Sequence, residues 1–546
     1  MINLLGNELK PLKFQKKIIK HIANKDALVI MPTGSGKTLV AYSWANVVNP
    51  DYGKIIFTAP TKAVSVERYQ ELKKQGLDVG IITGDVKMHD DYNILCMTQE
   101  IYNNCYTNIV ATVIIDEFHY IFRNDERARC YIDSLVKTNK KSKLLLMSAT
   151  INEPHKLTEW LNILTGRKFT VGTTSQRLVP LEYDYKGIKY KNIKDAIIFC
   201  FSRRDIHKIK QELFKHRSKN HGPYLVKHDK DYILQLCNNY SIEYDNIWDY
   251  GIAEYYGMLL PKEKMIVEHL FRKGYVDVII GTDALALGVN TPAKYAILAT
   301  TKKYDRHIMQ ASEFNQLVGR AGRYGYHDIG IATYLLDSPI NQIQSSNGAT
   351  KIDNSIIAND FKFLSNKSIE KTKIKVGIDY KLLFSGKYIE EEIDNILKLS
   401  YNLSETDNEN IIKNSYENFN QIQDMLNVIK YNVSNEIYQM LIDMLIRYYL
   451  PEIDVKLNID RTLSATIDFC NNNYIDTEEL LKPILQSNGE EYMLSPGEAL
   501  HEMLLLYKWL RHIQSDGKYE VYGLDILMKT INDLDETVFN PDLRLD

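Results

Sequence analysis

The chain has 546 residues, 45% of them hydrophobic and 25% charged, with 14 prolines and 27 glycines. That balance excludes collagen-like, low-complexity and long disordered architectures, and ~150 residues per domain implies three or four domains. The formal net charge of -3 averages a basic front, with 47 Lys+Arg against 36 Asp+Glu in residues 1–350, and an acidic back, with 20 against 34 in residues 351–546.

Met1–Lys10 has no basic stretch leading into an apolar run, so no secretory signal is expected. No apolar run is long enough to span a bilayer. Short Val/Ile-rich runs then alternate with helix-length stretches. The predicted strands are Ala27–Met31, Lys54–Thr58, Val79–Ile82, Ile94–Met97, Val113–Ile115 and Lys143–Met147. A second series comprises Asp195–Phe201, Gly251–Glu254, Val276–Ile280, Tyr295–Ala299 and Gly330–Tyr334. Two such series predict two α/β domains, each a parallel sheet with helices on both faces. The break is expected between Gly166 and Lys191, where helical patterning stops. Ser338–Ser365 is polar and Asn/Ser-rich and reads as a connector. Beyond it, mostly helices are expected. Ile437, Leu441, Met444, Leu445 and Tyr448 follow Ser434 at helical spacing, and Pro496 follows Ser495 in capping-box form. The six cysteines stand singly, which argues against a zinc site or disulfide framework and suits a reducing, cytoplasmic setting.

The strongest chemical signal is Pro32-Thr33-Gly34-Ser35-Gly36-Lys37-Thr38, between a predicted strand and a helix start. Glycines let backbone N–H groups turn toward phosphate oxygens, and the helix N-terminus adds a positive end. Lys37 is placed to reach the β- and γ-phosphates and Thr38 to bind Mg²⁺. Met31 stands where the common pattern has glycine. Downstream, a strand ends in Asp116-Glu117-Phe118-His119. Asp116 suits a Mg²⁺ ligand, and Glu117 suits a base for the attacking water.

In order, these motifs resemble those of a superfamily 2 DExH-box helicase. Phe14-Gln15, 22 residues before Lys37, is similar to that superfamily's adenine-sensing glutamine. Thr58–Ala63 resembles motif Ia, and Thr83-Gly84-Asp85 with Thr98-Gln99-Glu100 resembles the Ib region. Ser148-Ala149-Thr150 matches motif III, Gly281–Asn290 motif V and Gln316–Arg323 motif VI. Arg177-Leu178-Val179-Pro180-Leu181, Phe199–Arg204 and Gly257–Pro261 resemble the Ski-type branch, which includes exosome-associated and mitochondrial-degradosome RNA helicases. Tyr255-Tyr256 departs from the histidine common there. Tyr304–Glu313 is short where relatives carry a strand-separating hairpin, and the last third is not assigned to any of the family's modules.

The resemblance implies an α/β fold of two tandem RecA-like P-loop domains, residues 1–170 and 171–340, followed by an acidic, mostly helical region, 341–546. It implies ATP and Mg²⁺ in the cleft between the two domains. Gln15, Thr33, Gly34, Ser35, Gly36, Lys37, Thr38 and Gly288 would bind nucleotide, and Thr38 and Asp116 the metal. Lys37, Asp116, Glu117, Gln316, Arg320 and Arg323 would act in hydrolysis, the arginines completing the site on closure. Ser148 and Thr150 would couple it to nucleic acid, contacted by Thr61, Lys62, Gly84, Thr98, Ser202, Arg203 and Thr282. The implied activity is an ATP-dependent helicase or translocase on a single-stranded tail, RNA favoured slightly over DNA. The alternative is an ATP-gated nucleic-acid clamp within a larger complex. The acidic region would face a protein partner, and no membrane is involved. The Lys/His-rich stretch His207–Lys230 reads as an exposed helix and loop in preference to a nucleic-acid patch.

Overall fold

A computed structural model describes residues 2–4, 7–9, 11–48, 53–122, 125–220, 223–286, 293–303, 307–322, 324–344, 350–384, 389–435, 438–439, 441–443, 475–476, 496–515 and 521–543. All eleven predicted strands are present, within a few residues of their expected ends.

Alternation along these strands explains how two sheets each gain two covered faces. Leu28, Ile30, Ile56, Leu95, Val113, Ile115, Leu144 and Leu146 enter one core. Their neighbours Ala27, Val29, Ile55, Phe57, Cys96, Ile114 and Leu145 enter another, on the opposite face. Successive side chains on a strand point to opposite faces, so a run apolar at every position must be buried on both. The eight-stranded sheet runs Thr170–Thr173, Ala27–Ile30, Lys143–Ser148, Ala111–Ile115, Lys54–Ala59, Ile94–Thr98, Val79–Ile82, Lys87–Met88. Every pairing is parallel except the last. The six-stranded sheet runs Leu181–Tyr183, Gly330–Tyr334, Tyr295–Leu298, Ala196–Phe199, Val278–Gly281, Ile252–Tyr255, parallel throughout.

Thr170–Thr173 adds to the first sheet beside Ala27–Ile30, and Leu181–Tyr183 opens the second. The chain therefore crosses between sheets after Thr173, and the expected 170/171 division falls inside a strand. That strand carries Gly172 and two threonines, too little apolar patterning to be read from sequence.

The described residues of the expected connector Ser338–Ser365 are largely in regular structure. They form the antiparallel strand pair Gln342–Gln344 and Thr350–Ile352 and the helix Asn354–Asn366, which runs one residue past the connector's expected end. Ile357, Phe361 and Leu364 lie on one face of that helix and join the second domain's core, hidden in sequence among Asn and Ser. The helices Ile389–Leu399, Glu405–Asn432, Pro496–Ser515 and Leu524–Leu534 follow. Their buried Ile393, Ile396, Leu426, Met503, Leu527 and Ile531 extend the core of the first sheet. The expected helix after Ser434 lies mostly outside the described residues, as does Ser495. No helix among the described residues is long and apolar enough to cross a membrane.

One buried ion pair ties the helical region to the first domain: Arg129 Nη1 donates to Glu392 Oε1 at 2.5 Å. Arg129→Ala leaves a buried carboxylate without its cation. The expected cost is about 3–5 kcal/mol, read as a lower urea midpoint; an unchanged midpoint would remove the pair from the stability of this junction.

Candidate nucleotide site and nucleic-acid face

The strand Ala27–Ile30 runs into Met31, whose N–H donates to the Ser148 carbonyl at 3.0 Å. Met31 is fully buried, and a large apolar residue fits there because this face is core rather than cradle. The chain then turns through Gly34 and Gly36, both at φ +76°, before the helix Lys37–Ala45. A left-handed φ favours glycine, and at Gly36 a methyl would sit 2.5 Å from the Gln15 Nε2, so Gln15 would have to leave its place behind the loop. Ser35 is buried and donates its hydroxyl to the Pro32 carbonyl at 2.6 Å, so it offers the loop its backbone. Thr33 lies against Gly319 of the second domain, where a methyl on that glycine would come within 3.1 Å of Thr33 Cβ.

Gln15 is buried behind the loop. Its Nε2 donates to the Ser35 carbonyl at 3.0 Å, and its Oε1 accepts from the Leu12 N–H at 2.8 Å. The side chain thus braces the glycine loop and caps its own helix, Lys13–Ile22.

Lys37 and Glu117 face each other at 3.8 Å. Glu117 has φ +50°, a conformation uncommon for a residue with a side chain. Its N–H donates to Asp116 Oδ1 at 2.9 Å, and Asp116 Oδ2 accepts from Arg68 at 3.0 Å. Arg68 was not anticipated; it sits mid-helix in Lys62–Lys74 with no local signature. Each Asp116 oxygen keeps lone-pair capacity, and Thr38 adds a hydroxyl at the first turn, so this donor pair fits a hard divalent cation beside bound phosphates. Among the described residues no group of three or more His, Cys, Asp or Glu could hold a metal by itself.

His119 Nδ1 lies 3.2 Å from Glu117 Oε2, and its Nε2 is in short contact with the Gln316 side-chain amide. His119 and Gln316 are both buried. A continuous polar path therefore runs from Lys37 through Glu117 and His119 into the second domain. Arg320 follows Gln316 on the same rim. Burial lowers its pKa, opposed by the charges of Glu117 and Glu67. Arg323 and Gly288 lie outside the described residues. Ser148 and Thr150 bond mainly to one another, the Thr150 N–H donating to Ser148 Oγ at 3.3 Å.

The expected nucleic-acid residues divide. Thr61 caps the helix Lys62–Lys74 through the Val64 N–H, and Ser202 accepts from the Asp205 N–H at 3.0 Å. Thr282 accepts from the Ala284 N–H at 3.3 Å. Gly84 is half-buried. Lys62 pairs with Asp85, which also takes Lys508 at 2.7 Å. Arg203 is exposed over the Tyr256 ring and reaches Glu498 at 3.5 Å. Thr98 is buried, so its hydroxyl is not on the surface. In His207–Lys230 the cations Lys210, Lys215, Arg217 and Lys230 all hold carboxylates.

Glu67, also unanticipated, lies near this rim. Burial pushes its carboxyl up from 4.5 to about 7, against the pull of Arg68 and Arg320. The native state then holds a proton that the unfolded chain releases, so this group's contribution to stability falls as pH rises from about 4.5 to about 7. Glu67→Gln should melt progressively higher than the wild type across that window, followed by thermal denaturation; a constant difference would contradict the assignment.

Comparison with known proteins agrees with this layout. Residues 12–157 match the DEAD/DEAH box helicase family, and residues 224–325 match the helicase conserved C-terminal domain. The chain is 28% identical over 365 residues to the ATP-dependent DNA helicase Hel308 of Pyrococcus horikoshii, covering 60% of this chain and 50% of that one. It is 25% identical over 418 residues to the human Exosome RNA helicase MTR4, covering 60% and 39%. It is 26% identical over 411 residues to the human Superkiller complex protein 2, covering 60% and 33%. The chain thus spans half or less of the length of these relatives. Both core models fall on the two sheets in sequence order, which together with these relatives supports placing the chain with the superfamily 2 DExH-box helicases of the Ski-type branch.

Proposed function

We propose that this chain hydrolyses ATP to drive movement along a single-stranded nucleic-acid tail and to separate duplex ahead of it. The observation that carries the reading is the path Lys37–Glu117–His119–Gln316, which joins the phosphate loop of one domain to the other domain. Thr33, Gly34, Ser35 and Gly36 present backbone to the phosphates, and Lys37 supplies a point charge. Mg²⁺, which Thr38 and Asp116 would hold, supplies charge neutralisation at the phosphates. Glu117, facing Lys37 at 3.8 Å, orients and deprotonates the attacking water. Gln316 senses the state of Glu117 through His119. Arg320, and by its motif Arg323, meet the charge that develops on the γ-phosphate. Hydrolysis is then coupled to closure because half of the site belongs to each domain.

Thr61, Lys62, Gly84, Ser202, Arg203 and Thr282 are the proposed backbone contacts, which makes binding largely independent of sequence and sensitive to salt. RNA is favoured over DNA on the likeness to exosome-associated relatives, and a cytoplasmic setting belongs to the same proposal.

A second reading, an ATP-gated clamp, is favoured by the helix Pro496–Ser515. It reaches the first domain through Lys508–Asp85 and the second through Glu498–Arg203, across the proposed contact face. A protein partner on the acidic region belongs with that reading.

Glu117→Gln should lower the ATPase kcat by at least about a hundredfold while keeping nucleotide binding; a normal rate would refute the mechanism. ATPase measured with matched RNA and DNA strands should be stimulated by both, more by RNA. Displacement of a tailed duplex by the isolated chain supports the helicase reading. Stimulated hydrolysis without displacement supports the clamp.

A further inference from the structure

The segment that crosses between the two sheets lies against the phosphate loop. The Leu178 N–H donates to the Gly34 carbonyl at 3.0 Å, and the Leu178 side chain covers Gly36. Next to it, Arg177 Nη2 donates to the carbonyls of Gly319 at 3.1 Å and Ala321 at 2.7 Å, the residues on either side of Arg320. The same guanidinium faces Gly34: a methyl on that glycine would lie 3.3 Å from Nη2 and 3.8 Å from Nε. Arg177 therefore touches the phosphate loop and the Arg320 turn at once.

Its electrostatics are unusual for this protein. Arg68, Arg129, Arg167 and Arg217 each pair with a carboxylate. Among the described residues no carboxylate pairs with Arg177, and its buried Nε has no hydrogen-bond partner. Burial pulls its pKa below the ordinary arginine value. A guanidinium stays charged even so, and a desolvated charge without a counter-charge is costly. A planar fork of N–H donors matches phosphate oxygens. The nearest feature built for anions is the glycine loop that it already touches.

We propose that Arg177 is a phosphate-contacting residue of the nucleotide site, and that through Gly319 and Ala321 it ties nucleotide occupancy to the position of Arg320. The inference rests on the nucleotide-site reading above. The bound phosphate supplies the missing counter-charge. Because Arg177 stands on the crossing segment, the contact pulls on the one stretch of chain that links the two sheets directly.

The test is the affinity of the full chain for fluorescent ADP and for a non-hydrolysable ATP analogue, with melting temperatures measured with and without each. The variants are Arg177→Met, Arg177→Lys and Lys37→Ala. Arg177→Met should weaken both nucleotides about tenfold or more, equivalent to 1.4 kcal/mol. The melting temperature without nucleotide should hold or rise, since an uncompensated charge is removed. Arg177→Lys should keep part of the affinity but lose the fork; it carries the test if Arg177→Met fails to fold. Wild-type affinity in the folded Arg177 variants, with loss in Lys37→Ala, would overturn the proposal and leave the nucleotide-site reading intact. A lower melting temperature with unchanged affinity would likewise overturn it and make Arg177 a structural staple. No binding by the wild type would overturn both.

Discussion

The contact between His119 and Gln316 joins two sheets that each close their own cores. The candidate nucleotide site lies along that junction. On one side His119 leans on Glu117, and Glu117 faces Lys37. On the other, Gln316 sits one turn ahead of Arg320, whose neighbouring carbonyls are held by Arg177. A buried polar contact across an interface is weak glue but a sensitive reporter, because either partner left unsatisfied carries a desolvation penalty. The junction therefore favours alignment of the two half-sites over any partly open arrangement.

The acidic helical region contributes to the same geometry from a distance. Its apolar residues continue the core of the first sheet, and Glu392 anchors it to Arg129. From that base the helix Pro496–Ser515 reaches both domains. Asp85 takes two lysines, one from each side of this contact, and their charges hold its carboxyl at about 2. In the other direction, Glu392 on Arg129 and Glu498 on Arg203 set part of the region's negative charge against cations of the two α/β domains.

Much of the architecture was legible because burial on both faces leaves a plain mark, short unbroken runs of Val, Ile and Leu. The glycine loop was legible because a left-handed φ at Gly34 and Gly36 is a local demand that favours glycine. The strand Thr170–Thr173 and the helix Asn354–Asn366 were not, since polar residues dilute their apolar positions and neighbours supply the burial. Arg68, Glu67 and the setting of Arg177 were equally hidden. Each matters through a partner dozens or hundreds of residues away, as Arg68 does through Asp116.

By itself the sequence determined the two parallel sheets, the phosphate loop and the order of motifs along the chain. These rest on local rules: strand alternation, the conformational freedom of glycine and the spacing of a few side chains. Only the tertiary structure decided that Gln15 braces the loop from behind, that Thr98 is buried, that Lys62 shares Asp85 with Lys508, and that Arg177 stands at Gly34 with no carboxylate partner among the described residues. Burial and charge pairing are properties of packed neighbours, and no neighbour in sequence encodes them.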